Sequence, residues 1–136
     1  MIKFLLWLWQ LPQNLTGWIY SKFGNKDMIL NLDTGNCITI FYAPCFKAGV
    51  TLGQYIILDP VWQNASRTYF MNTVKHEYGH SIQSKYLGWF YLLVVGIPSV
   101  FRNILNRINN KKFNQAWYYA GYPEKWADKL GGVIRS

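Results

Sequence analysis

The spacing of apolar residues predicts a helical N-terminal region followed by a small β-sheet. The first 24 residues are mostly apolar, and a polar interruption around Pro12 favours two short amphipathic helices that end at the turn Gly24-Asn25. Residues 37–43 and 51–58 are rich in β-branched and aromatic side chains, which is typical of strands. Their connection contains Gly49, so the pattern predicts a hairpin in a small antiparallel sheet.

The rest of the chain follows a helical period. Apolar residues recur every four positions between residues 67 and 87, which predicts a helix packed on a core, capped by Asn64 or Ser66 and ended by Gly88. Two further helices are predicted at 89–97 and 99–108, separated by Pro98, with a polar loop at 109–114. A last helix is predicted at 123–130. The whole pattern indicates a mostly helical α+β fold.

The composition fits one globular domain spanning residues 1–136. The hydrophobic share of 51% allows a sizeable core, and the charged share of 15% lies below the roughly 25% of an ordinary domain. Intrinsic disorder is therefore excluded. Cys37 and Cys45 lie eight positions apart, which fits neither a redox motif nor a disulfide framework, and we expect buried free thiols.

The formal net charge of +8 suits an anionic membrane surface or an acidic substrate, although a solvated basic face is the simpler interpretation. Nucleic acid is not an expected partner, because the basic residues are scattered and the chain has no zinc-finger or RNA-binding motif. We expect a peptide or protein substrate, and the sequence does not indicate an oligomeric state.

Two apolar segments bear on membrane contact. The N-terminal run lacks the longer apolar core and cleavage site of a signal peptide. Residues 86–101 form an uncharged run shorter than the ~20 residues that a spanning helix needs, so this run is either a core helix or a membrane-surface segment. We expect a cytoplasmic protein, with peripheral membrane contact as the open alternative.

The strongest chemical signal is His76-Glu77-Tyr78-Gly79-His80, the HExxH pattern, on the predicted helix 67–87. Two histidines four residues apart lie about 40° apart around a helix, so both imidazoles can bind one Zn²⁺ ion. The carboxylate of Glu77 can reach water bound to that metal. Placing these three groups in a helix with so few charges would be costly without a partner such as a metal.

The chain has no third histidine, so a further protein ligand must be a carboxylate or a cysteine, which excludes the three-histidine metzincin arrangement. The downstream carboxylates are Glu124 and Asp128, which lie four residues apart and therefore share a helix face. Asp59 is the main rival, although an aspartate before Pro60 at a strand end commonly serves a turn. We assign Asp27, Asp33 and Asp59 to turns.

This combination of motifs resembles the gluzincin class of zinc metallopeptidases, the thermolysin-like proteins, reduced to a minimal core. The resemblance covers the HExxH helix, the strand before it and the last helix. It implies a zincin-type helical core in which His76, His80 and Glu124 bind Zn²⁺, Glu77 is the general base and Asp128 holds His76. With no histidine left to stabilise an oxyanion, the candidates for that role are Tyr118, Tyr119 and Tyr122.

The sequence therefore predicts a zinc metalloendopeptidase. Glu77 would take a proton from a metal-activated water as it attacks a peptide carbonyl, and would pass that proton to the leaving amine. An extended substrate could pair with residues 51–58 if they form an exposed edge strand. Two alternatives stay open: a zinc-stabilised binding protein without catalysis, and a membrane-associated structural protein in which HExxH is accidental.

Overall fold

The computed structural model describes residues 1–30, 37–44, 49–109 and 114–135. Two N-terminal helices precede four strands, and the remaining elements are helical. In chain order, the elements are α1 (Ile2–Trp9), α2 (Leu11–Ser21), β1 (Asn25–Leu30), β2 (Cys37–Tyr42), β3 (Gly49–Leu52), β4 (Tyr55–Leu58), α3 (Arg67–Leu87), α4 (Ile97–Asn109), α5 (Gln115–Tyr119) and α6 (Glu124–Gly131). The mostly helical content beside one small sheet confirms the α+β class.

The sheet is mixed and has the strand order β1-β2-β4-β3. β1 pairs with β2 and β3 with β4 in antiparallel fashion, whereas β2 and β4 run parallel. The predicted antiparallel hairpin between residues 37–43 and 51–58 is therefore wrong. Residues 51–58 do not form one strand, because the chain reverses at Gly53, whose φ of 68° is readily adopted only by glycine. The Asn14 side chain holds this turn by accepting from the Gln54 amide at 2.8 Å.

The hydrophobic core lies between the sheet and α3. Its buried members come from β2, β4 and α3, and they are Ile38, Ile40, Tyr42, Ile56, Leu58 and Val74. Phe70 and Tyr78 of α3 pack against this cluster, as the four-residue period predicts. Tyr86 breaks the pattern, since it is largely exposed at the other end of the helix. α3 is thereby fixed on the sheet by the face that carries Phe70, Val74 and Tyr78, and its other faces can carry other groups.

Helix ends agree with the sequence in some places and differ in others. The bounds of α3 are those predicted, and Gly88 ends the helix with a φ of 54°. Pro98 does not separate two helices: it lies in the first turn of α4, where its missing amide hydrogen is not needed. A 3₁₀ turn (Gly88–Phe90) and a π-helical segment (Leu92–Gly96) stand in place of the helix predicted at 89–97. Likewise, Pro12 lies in the first turn of α2, and the N-terminal helices are separated at Gln10.

Some predictions concern residues outside the described ranges, and others concern the aspartates assigned to turns. The loop expected at 109–114 lies mostly outside the described residues, as do Asp33, Cys45 and the side chain of Cys37. Asp59 serves a turn as expected, since its carboxylate accepts from the Val61 amide at 3.1 Å. Asp27 does not, because it lies within β1 opposite Ile40.

Candidate metal centre

Three buried side chains converge on one point between α3 and α6. The Nε2 atoms of His76 and His80 are 3.1 Å apart, and Oε2 of Glu124 lies 2.8 Å from the first and 3.0 Å from the second. All three residues are at most 5% exposed. Among the described residues, they form the one group of histidine, cysteine or carboxylate side chains that could hold a metal ion.

Two glycines bring α6 close enough to α3 for this convergence. A Cβ on Gly79 would lie 1.9 Å from the carbonyl oxygen of Ala127, and a Cβ on Gly131 would lie 1.9 Å from the carbonyl oxygen of Lys75. No side chain fits at either position, so the two backbones approach in a way that only glycine permits. Glu124 and Asp128 then face α3 from the start and the middle of α6.

The outer nitrogen of each histidine faces a hydrogen-bond acceptor. Nδ1 of His76 lies 2.7 Å from Oδ1 of Asp128. Nδ1 of His80 lies 2.7 Å from Oε1 of Gln83, whose amide group donates to the Pro123 carbonyl and so keeps its oxygen turned towards the ring. An acceptor at Nδ1 requires the proton there, which leaves Nε2 of each ring as a lone pair whenever that ring is neutral.

When both rings are neutral, the inner side of the site holds three electron-pair donors with no hydrogen between them. Such an arrangement is repulsive unless a cation lies between the three atoms. Two imidazoles and one carboxylate are a common ligand set for zinc, at metal–ligand distances of about 2.0–2.2 Å. Tetrahedral ligands at those distances are roughly 3.3–3.5 Å apart, so the three atoms, which lie 2.8–3.1 Å apart, would have to separate by about 0.2–0.7 Å to hold the ion.

Without a metal, a proton can satisfy the same donors. Burial lowers the pKa of His76, but hydrogen bonds to Asp128 and Glu124 more than offset that effect and raise it to about 9. For Glu124, burial acts to raise the pKa, and the hydrogen bonds and positive charge of the two histidines lower it overall. A bound metal would compete with that proton for the site.

Asp128 and Glu124 are themselves held by further side chains. Arg135 donates to both carboxylate oxygens of Asp128, from Nε at 2.6 Å and from a terminal nitrogen at 3.0 Å. Oε1 of Glu124 accepts from the hydroxyls of Ser99 and Tyr118, the latter at 2.9 Å. Because Oε1 is engaged in this way, Oε2 is the oxygen that faces the histidines.

The three tyrosines predicted as oxyanion donors lie in different surroundings. Tyr118 lines the cleft beside the site, although its hydroxyl donates to Glu124. The ring of Tyr119 contacts the edge of His76 with 4.9 Å between centroids, and Arg135 stacks on it. Tyr122 is half exposed, and its hydroxyl donates to the Val94 carbonyl rather than to His76, His80 or Glu124. Burial raises the pKa of Tyr118, and the charge of Glu124 raises it further, so it stays a donor at neutral pH.

Glu77 lies on the cleft side of α3, against β3. Its Oε2 accepts from the Thr51 hydroxyl at 2.7 Å. A Cβ on Gly49 would come within 2.7 Å of its Oε1, so the strand backbone passes close to the carboxylate. Tyr91 fixes this part of the strand by donating to the Thr51 carbonyl at 3.1 Å.

A cleft of about 610 Å³ opens beside Glu77 and His80. β3 and Glu77 of α3 line one part of the cleft. The other part is apolar and belongs mainly to α4, with Ile97, Val100, Phe101 and Ile104. β3 is an outer strand of the sheet that the described residues form, whereas β4 is internal. The edge strand expected over residues 51–58 is thus confined to Gly49–Leu52.

Several side chains of the site carried no signal that the sequence analysis used. Gln83 lies three residues after His80, a spacing that places it on the same helix face and could have identified it. Arg135, Ser99 and Thr51 reach the site from distant segments, so no local pattern marks them.

Comparison of the chain with protein family models, curated proteins and solved structures finds no match.

Proposed function

We propose that the protein is a zinc-dependent metallopeptidase of the gluzincin type. The observation that carries this proposal is the convergence of two imidazole Nε2 atoms and one carboxylate oxygen on a single point, beside a cleft that also holds a carboxylate. Two histidines and one glutamate match the ligand set of catalytic zinc sites, which keep one position open for water. The neighbouring carboxylate, Glu77, is the group that hydrolysis would need as a base.

The roles of the chain's own residues follow from their contacts. His76, His80 and Glu124 would hold the ion, which when bound supplies a Lewis acid and lowers the pKa of a coordinated water towards 7. Glu77 would accept a proton from the attacking water and deliver it to the leaving amine. Thr51 orients Glu77 by donating to Oε2, which leaves Oε1 for that proton transfer.

The shape of the cleft supports an extended peptide substrate. An extended chain could pair its amide groups with the outer edge of β3, next to Glu77, where it would replace Tyr91 as the donor to the Thr51 carbonyl. The opposite wall is apolar, so it would accept an apolar side chain close to the bond that is cleaved. We therefore expect cleavage beside residues such as leucine or phenylalanine rather than beside acidic ones.

One observation favours the alternative of a metal-stabilised binding protein. Tyr118 lines the cleft, but its hydroxyl donates to Glu124, and both histidines of the chain lie at the candidate metal site. An oxyanion would then be stabilised by the metal alone unless a tyrosine turned towards the substrate.

The Glu77→Gln variant separates the two functions. The amide keeps the size of the carboxylate and can still accept from Thr51, but it cannot take a proton. We expect near-stoichiometric zinc in both forms and a loss of peptide cleavage of at least about a hundredfold in the variant. Asp27→Asn, which makes the same chemical change in β1, is the matched control. Zinc without cleavage in the wild type would favour the binding protein, and purified protein without zinc would refute both.

A further inference from the structure

α4 is amphipathic in the reverse sense to an ordinary surface helix. Its polar side faces the protein: Asn106 is 1% exposed and bonds to the backbone of Asn114, while Arg102 donates to the carbonyls of Trp117 and Tyr118. Its apolar side faces outwards, with Phe101 62% exposed and Ile108 72% exposed. A helix in water normally turns its apolar side to the core.

The N-terminal helices show the same reversal. Gln13 and Asn14 of α2 are fully buried, and their amides donate to Ser84, Gly88 and Trp7. The large apolar residues of α1 and α2 are exposed in turn, and they include Phe4, Leu5, Leu15, Trp18 and Ile19. Polar contacts therefore help to hold these helices to the protein, and the five apolar side chains are left 45–62% exposed.

The two regions meet at the end of α3. The indole nitrogen of Trp9 donates to the Lys85 carbonyl at 3.0 Å, and that of Trp89 donates to the Leu8 carbonyl at 3.0 Å. Gly88 packs directly on the Trp9 ring, where no side chain would fit. From this junction, exposed apolar residues continue through Phe90 and Leu93 to α4. We call this set of exposed apolar residues the apolar surface; it consists of Trp9, Trp89, Phe90, Leu93, Val94, Ile97, Val100, Phe101 and Ile104.

The described segments that carry the apolar surface contain basic residues and no acidic ones. Residues 1–26 and 78–109 contain no aspartate or glutamate, and their basic residues are Lys3, Lys22, Lys26, Lys85, Arg102 and Arg107, of which Arg102 faces the protein. An apolar surface with exposed tryptophans and a basic surround complements the interface of an anionic lipid bilayer. Among the described residues, no helix is long and apolar enough to cross a membrane.

We infer that the apolar surface docks on the interface of an anionic membrane. Ile97, Val100, Phe101 and Ile104 belong both to this exposed region and to the cleft wall, so docking would open the cleft at the lipid surface. If the proposed peptidase function holds, its substrates are apolar peptide segments presented at that surface. The docking itself does not depend on catalysis.

The test is co-sedimentation of the full chain with vesicles. Vesicles of phosphatidylcholine mixed with an equal amount of phosphatidylglycerol should bind the protein more tightly than vesicles of phosphatidylcholine alone, and added salt should weaken binding. The double variant Phe90→Ser/Leu93→Ser removes two side chains that do not line the cleft. It should weaken binding to the mixed vesicles by about tenfold or more.

A matched control uses two residues of similar exposure elsewhere. Met28 and Tyr69 are 58% and 61% exposed, against 60% and 64% for Phe90 and Leu93. Met28 lies on β1, and Tyr69 lies in the first turn of α3, roughly 28 Å of helix from Gly88. Met28→Ser/Tyr69→Ser should bind vesicles as the wild type does, and circular dichroism should show that both double variants are folded.

Three outcomes would overturn the inference. The first is no binding to mixed vesicles, and the second is an equal loss of binding in both double variants. The third is a wild-type dimer in light scattering that Phe90→Ser/Leu93→Ser dissociates, with no vesicle binding, because a second copy of the chain would then cover the surface. Glu77→Gln should bind vesicles normally, so failure of the membrane proposal and failure of the peptidase proposal are distinguishable.

Discussion

Gly79→Ala tests whether the close approach of α6 to α3 positions the side chains of the candidate metal centre. Two effects of the substitution oppose each other. Replacing a helical glycine by alanine favours the helix by about 1 kcal/mol. The new Cβ would lie 1.9 Å from the carbonyl oxygen of Ala127, whereas real Cβ atoms essentially never come within 3.0 Å of such an atom. The helices would have to separate by about 1 Å, and overpacking of this kind costs about 1–3 kcal/mol.

We expect the substitution to weaken zinc binding more than it destabilises the fold. Its three donor atoms are held 2.8–3.1 Å apart, and metal–ligand distances tolerate changes of only about 0.2 Å. A shift of about 1 Å in α6 would carry Glu124 outside that range. We therefore expect zinc affinity to fall by at least about a hundredfold, while the free energy of unfolding without metal falls by about 2 kcal/mol or less.

The assay is competition for zinc with a chromophoric chelator, together with urea unfolding in the presence of EDTA. Gly96→Ala is the matched control, because a Cβ there meets its nearest neighbour, the Leu92 side chain, at an ordinary 3.5 Å. It should keep the zinc affinity of the wild type. If Gly79→Ala also kept that affinity, the close packing of α3 on α6 would not be what positions Glu124, and the reasoning would fail.

Two further predictions concern the metal. Asp128→Asn keeps the shape of the side chain that accepts from His76 but removes its charge, so zinc affinity should fall by about 10–100-fold with little change in Glu77-dependent proton transfer; an unchanged affinity in chelator competition would contradict the role given to Asp128. Zinc at a thousand times its dissociation constant should raise the free energy of unfolding by about 4 kcal/mol, measured by urea titration with and without EDTA. Equal unfolding curves would show that the folded chain does not bind the ion.

The HExxH helix could be predicted because its signals are local. The four-residue apolar period, Ser66 before the helix and Gly88 after it are all read from neighbouring positions, and the bounds of α3 agree with them. The facing of Glu124 and Asp128 on one side of α6 likewise follows from their spacing. The resemblance to gluzincins predicts that α6 faces α3, and the structure brings Glu124 and Asp128 of α6 to the two histidines of α3.

The sheet could not be predicted in the same way, because strand pairing depends on distant contacts. Nothing local in residues 51–58 shows that β4 pairs with β2 in parallel. Gly53 was the available signal for the reversal, since glycine inside a strand pattern often marks a turn or bulge. The roles of Gly79 and Gly131 were equally hidden, because each leaves room for a backbone that lies some 50 residues away in the chain.

The position of Glu124 has a consequence for the chain as a polymer. A metal held by His80 and Glu124 would join residues 44 apart in sequence, and the loop closed between them contains α4 and α5. In the chain-entropy description, a cross-link across a loop of that length lowers the conformational entropy of the unfolded chain, which stabilises the fold by about 4 kcal/mol. The ion would then act as a removable staple, and the helices that form the apolar cleft wall are the part of the fold that it ties down.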